Sequence, residues 1–178
     1  NLPFEKRLVV HTSGSASLYD IDKKHYRGVF YPLQTFRKDV DLDYTTVPTW
    51  IEKLRKQDFI LLKSVRETLG CKTYKVNSEQ RTALHLATGF VNNLTNQLYR
   101  IEHEITEQND AECDILKPLI TETAKKVQDV SPYKAQTGPA KRNDKKTIKR
   151  HLKLLDNEHH EAIYKLMTSS IKKTHNGR

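Results

Sequence analysis

Three groups of residues in this 178-residue sequence have side chains and settings that a reaction could use. The first is His11-Thr12-Ser13-Gly14-Ser15, hydroxyls and a glycine placed directly after the apolar run Leu8-Val9-Val10. Ligands of open α/β sheets bind at the carboxyl ends of strands, where hydroxyls and backbone amides collect. The segment Tyr31-Pro32-Leu33-Gln34-Thr35-Phe36 follows the next apolar run, so both segments are expected on the same sheet edge. The second group lies between Arg81 and Arg100, where 18 residues carry no charge although 30% of the chain is charged. His85, Asn92, Asn96 and Tyr99 fall within about 60° of one another at helical spacing. A solvated helix face normally carries lysine and glutamate. An uncharged polar face is expected either to make interdomain hydrogen bonds or to line a cleft. The third group is Thr137-Gly138-Pro139 with Arg142 and Asp144. It reads as a tight turn leading to a helix N-terminus, which attracts anions, or as a plain helix start capped by Asp144.

Other chemistries find no support. The chain contains no P-loop, no GxGxxG and no zinc-type spacing, and His159-His160 has no second ligand pair near it in sequence. Ser13 lacks the nucleophile-elbow pattern. Cys71 and Cys113 are expected to be reduced thiols of a cytoplasmic protein. No apolar run reaches bilayer-spanning length. The +9 charge is confined to residues 117–178, because residues 1–116 hold 16 basic and 16 acidic side chains. Its densest part runs from Lys141 to Lys153. A polyanion, a small phosphate-bearing molecule and a solvated lysine-rich face are the three readings of that excess.

The elements that would carry these groups divide at about residue 77. Before it, Leu8-Val10, Gly28-Tyr31 and Val47-Ile51 read as strands, with Pro32 ending the second and Pro48 demoting the third to an edge or an irregular strand. Phe59, Leu62, Val65 and Leu69 recur at helical spacing before Gly70, and Cys71-Val76 makes a last strand. After residue 77 the period is helical. Asn77-x-x-Gln80 resembles a capping box. Leu84, Ala87, Val91, Leu94, Leu98, Ile101 and Ile105 then form a buried seam on a helix of roughly 30 residues. Three further helices are expected. They start after Asp114 (Leu116, Leu119, Ile120 and Val127 inward), after Asn143 or Asp144 (Ile148, Leu152 and Leu155), and near Asp156 (Ile163, Leu166, Met167 and Ile171). Ser131 to Pro139 reads as a loop, and the tail after Lys172 as frayed. The fold class is therefore an α/β segment followed by an all-α domain with one long helix.

Taken in order, the groups resemble one family. They are Val10-His11-Thr12-Ser13-Gly14, Tyr31 to Phe36, Leu84-His85-Leu86-Ala87 with Asn93, Pro118-Leu119-Ile120, Gln136 to Asp144, and His151-Leu152. The order is similar to that of Rossmann-type proteins provisionally described as NADP oxidoreductases, with a C-terminal helical domain of unknown function and a layout like 6-phosphogluconate dehydrogenase. The resemblance implies that residues 1–76 are the second half of a Rossmann-like nucleotide-binding domain. It implies that 77–178 form a helical dimerisation or substrate domain. The family's opening strand, Gly-rich turn and helix are not among these residues, so the isolated chain is expected to be inactive. By the resemblance, NADP or NAD would lie between the domains with Thr12, Ser13 and Gly14 on its nicotinamide side. His85 would be the acid/base group and Asn93 would orient a substrate oxygen. Gln34, Thr137, Gly138, Arg142 and Asp144 would hold a small anionic substrate, with Arg142 on its carboxylate or phosphate. A homodimer is expected. Gly89 stands one turn before Asn93, where hydroxyacid dehydrogenases of this layout carry a lysine. Tyr31 stands where histidine is common. The alternatives are a non-catalytic dimerisation or sensing domain and, with less support, a basic nucleic-acid-binding helical module.

Overall fold

The computed structural model describes residues 2–177. Contacts divide the chain into two units, Asn1–Thr95 and Asn96–Arg178. The boundary expected at residue 77 marks where helical periodicity begins. The packing boundary lies later, because the first turns of that helix bond to the sheet.

The first unit holds a mixed four-stranded sheet in the order β1-β2-β3-β4, with β1 Leu8–His11, β2 Tyr26–Pro32, β3 Thr49–Lys53 and β4 Thr73–Lys75. β1 and β2 are parallel, β2 and β3 antiparallel, and β3 and β4 parallel. The parallel pairing of β1 and β2 places the segments after His11 and after Pro32 on one edge, as expected. β3 is interior rather than an edge. Pro48 precedes the ladder by one residue, so no strand donor is lost, and its carbonyl accepts from the Leu33 amide at 2.8 Å. Helix α1, Lys56–Leu69, joins β3 to β4 and ends at Gly70, whose φ of 68° supplies a left-handed cap. Leu18, Val29, Val47, Trp50, Ile51, Leu62 and Cys71 are buried in this unit.

Helix α2, Ser78–Gly89, starts on a complete Asn77–Gln80 capping box. A π turn, Phe90–Leu94, follows it, and α3 runs from Thr95 to Gln108. The π turn interrupts the 3.6-residue period that the seam assumed. The seam itself is largely uncovered: Leu84, Val91, Leu94 and Leu98 are exposed, Val91 by 76%.

The second unit continues with α4 Lys117–Asp129, α5 Pro132–Ala135, α6 Lys145–Lys153 and α7 Glu158–Asn176. The short α5 occupies part of the expected loop. α7 stays helical to Asn176 rather than fraying at Lys172, and the Asn176 amide donates to the Ala140 carbonyl at 3.2 Å. Ile148 is buried, as read from the sequence. Leu119, Val127, Leu166 and Met167, expected inward, are exposed. His160 is buried and pairs with Glu104 at 3.2 Å, a structural contact. Among the described residues no cluster could hold a metal, and no helix is long and apolar enough to cross a membrane. Both cysteines are free thiols.

Candidate functional site

The best-built candidate site lies wholly within the first unit, at the carboxyl edge of β1 and β2. The loop after β1 is tied to itself. Ser13 N donates to His11 Nδ1 at 3.2 Å, and Ser15 N and Ala16 N both donate to Ser13 Oγ, at 3.2 and 3.0 Å. Three of the amides that such a loop could offer a ligand are therefore satisfied internally. Burial, and after it the Arg81 charge, hold His11 below the ordinary imidazole range, so the neutral ring is favoured there.

The carbonyls of this loop turn toward α2. Arg81 is 1% exposed and donates through Nη1 to Ser13 O at 3.2 Å and Gly14 O at 3.0 Å. Its Nε meets Glu52 Oε2 at 3.2 Å, and Ser78 Oγ also donates to Glu52. A buried guanidinium is tolerable only when its donors are matched in this way.

One turn further along α2, His85 packs against Gly14. A Cβ on Gly14 would lie 2.4 Å from His85 Nδ1, so glycine is required sterically for the imidazole to rest there. The other side of His85 meets Tyr31 edge-on at 6.2 Å between ring centres, and Tyr31 leans on Trp50 at 5.2 Å.

Beside these rings opens a cleft of about 390 Å³ lined by Tyr31, Leu33, Gln34, Thr35, His85, Thr88, Val91, Asn92 and Asn93. Asn92 Nδ2 donates to Thr35 Oγ1 at 2.9 Å, joining the helix to the segment after β2. The lining holds no lysine, arginine, aspartate or glutamate, which matches the uncharged run seen in the sequence. It also holds Val91, which the sequence reading placed on the seam. The π turn explains this: the extra residue per turn brings Val91, Asn92 and Asn93 round together.

The structure thus gathers Ser13, Gly14, Gln34, His85 and Asn93 around one edge of one unit, with Thr12 in the same loop. Thr137, Gly138, Arg142 and Asp144 lie in the second unit. There Gly138 takes a φ of 97° and Arg142 N bonds Gly138 O at 3.3 Å. Asp144 caps α6 through Thr147 N at 3.0 Å, and that bond holds its carboxyl below the usual range. The α6 N-terminus is therefore occupied by the protein's own carboxylate. Arg142 is exposed. Sequence reading missed Arg81 and Glu52. The only trace of Arg81 was its place as the last charge before the uncharged run, and nothing marked Glu52 as its partner.

The sequence pattern of one protein family matches residues 47–171, most of the chain. The chain belongs to the DUF2520 family, a domain of unknown function. The solved structures that resemble this DUF2520 chain include the following two. One is a Bacteroides fragilis protein provisionally described as an NADP oxidoreductase. It shares 39% identity over 93% of this chain and 65% of its own, with a TM-score of 0.86. The other, a Thermotoga maritima protein, shares 19% identity over 95% of this chain and 69% of its own, with a TM-score of 0.75, and shows the fold alone. No curated protein matches. The chain thus spans 65% of the length of its B. fragilis relative. The fold is a partial Rossmann-like segment followed by a helical domain.

Proposed function

We propose that this chain forms the nicotinamide-side portion of an NAD(P)-dependent oxidoreductase with a layout like 6-phosphogluconate dehydrogenase, acting on a small anionic substrate. The observation that carries the reading is the uncharged cleft beside His85, at the strand ends of a Rossmann-like segment. Its relative's description as an NADP oxidoreductase supports the same direction.

The residues fit a nicotinamide. Leu33 and Val91 offer apolar surface to a flat ring, while Gln34, Thr35, Asn92 and Asn93 offer neutral donors and acceptors to its carboxamide. A bound nicotinamide supplies or accepts a hydride. The chain's own part is to orient and to move a proton. Nδ1 of His85 faces Gly14, which leaves Nε2 as the nitrogen that would exchange a proton with a substrate oxygen. Asn93 would orient that oxygen. Thr12, Ser13 and Gly14 would border the nicotinamide, and Gln34 the substrate. In the second unit, the exposed Arg142 beside the Thr137-Gly138 turn is proposed as a separate anion-binding group, with Asp144 capping the helix that follows.

The chain is also proposed to self-associate. It exposes 13629 Å². Two separate compact chains of half its mass would together expose only about 11,000 Å², so a large area is left uncovered however the units are arranged. The exposed seam residues Leu84, Leu94 and Leu98 lie on that surface.

The test is NADPH oxidation by the full-length protein, screened over small carbonyl compounds that bear a carboxylate or a phosphate. His85→Ala should lower turnover by at least about 100-fold, the scale of a lost general acid/base, while costing only about 1 kcal/mol of stability. Equal activity of the two proteins on every turned-over compound would remove His85 from the reaction.

A further inference from the structure

We propose that Arg81, braced by Glu52, is a positioning residue that fixes the Ser13–Gly14 turn and, through it, the seat of the His85 imidazole. The inference rests on the reading that His85 works in this cleft, and it assigns a role to a pair of side chains outside the cleft lining.

The geometry separates this role from ordinary core filling. Arg81 lies on the first turn of α2, one helical turn before His85. Its guanidinium directs Nη1 to two consecutive carbonyls of the β1 loop and Nε to one carboxylate. A fork with fixed donor directions sets where those carbonyls stand, which a point charge on a flexible stem does not. Gly14 is the residue on which His85 rests, with no room for even one added carbon. Any drift of the turn is therefore passed to the ring. Glu52 belongs to β3, at the middle of the sheet, and holds the guanidinium from the opposite side. The chain of contacts runs from sheet to guanidinium to loop to imidazole, all within one unit.

A buried ion pair can often be replaced by apolar side chains without loss of stability, which makes the positioning role separable from the structural one. The experiment compares the unaltered 178-residue chain with the double variant Glu52→Leu/Arg81→Met and with Arg81→Lys. Thermal melting, nuclear magnetic resonance of the His85 ring and hydrogen exchange of the Ser15 and Ala16 amides are the readouts. Each chain is also titrated with nicotinamide mononucleotide.

The double variant should melt within a few degrees of the unaltered chain. Its His85 ring signals should be displaced, and the two loop amides should exchange at least about tenfold faster, equivalent to ~1.4 kcal/mol of lost protection. Arg81→Lys keeps a charge beside Glu52 and should displace the same signals. A folded double variant, or a folded Arg81→Lys chain, with ring and amide signals unmoved would overturn the proposal. If nicotinamide mononucleotide shifts nothing in the unaltered chain, the nicotinamide reading fails, while the ring and amide signals still decide the role of Arg81.

Discussion

At the scale of single residues, the site is built from neutral groups held by one buried charge pair. His11 shows how burial, aided by the Arg81 charge and opposed by Glu52, acts on a neighbouring imidazole. Burial and the neighbouring Arg81 depress its pKa from 6.5, while the unfolded chain retains the ordinary value. The folded state therefore binds fewer protons than the unfolded state just below pH 6.5. Its contribution to stability is fully present above pH 6.5 and is lost as the pH falls toward the folded pKa. The measurement is the urea midpoint between pH 7.5 and pH 5. The midpoint should fall more steeply on acidification in the unaltered chain than in His11→Asn. Parallel slopes would show that His11 is not held neutral by its site.

At the scale of elements, the β1 loop and α2 fit together through a glycine and a ring. Gly14→Ala tests that fit. The added methyl must displace His85, an exposed side chain whose ring can swing aside. Stability should therefore fall by only about 1 kcal/mol, while the His85 ring signals move. A much larger loss would mean that the backbone, not the ring, gives way. Much of this layout was legible in the sequence. Strand positions followed from short apolar runs, the start of α2 from Asn77 and Gln80, and the end of α1 from Gly70. The absence of charge between Arg81 and Arg100 left interdomain bonding and a cleft both open. Of the four residues on that face, His85 and Asn92 line the cleft while Asn96 and Tyr99 do not. The composition of the cleft was not legible, because a π turn breaks the fixed angle per residue on which face assignments depend. β3 was misplaced because a proline was read as lying inside the ladder when it stands one residue before it. The Arg81–Glu52 pair was invisible because partners 29 residues apart leave no local pattern.

At the scale of the whole molecule, two expectations follow from what the 178 residues contain. The exposed apolar seam predicts self-association. Sedimentation at tens of micromolar should give a dimer mass, and a monomer alone at that concentration would contradict it. In the proposed reading the cleft takes a nicotinamide, while the sequence has no GxGxxG turn to hold a pyrophosphate. Binding of NADPH to this chain should therefore be weak and local. The decisive measurement is an NADPH titration followed residue by residue by nuclear magnetic resonance. The account predicts a millimolar dissociation constant, about 4 kcal/mol of binding, with shifts concentrated on Gln34, Thr35, His85, Asn92 and Asn93. Low-micromolar binding, or shifts that leave those five residues untouched, would contradict it.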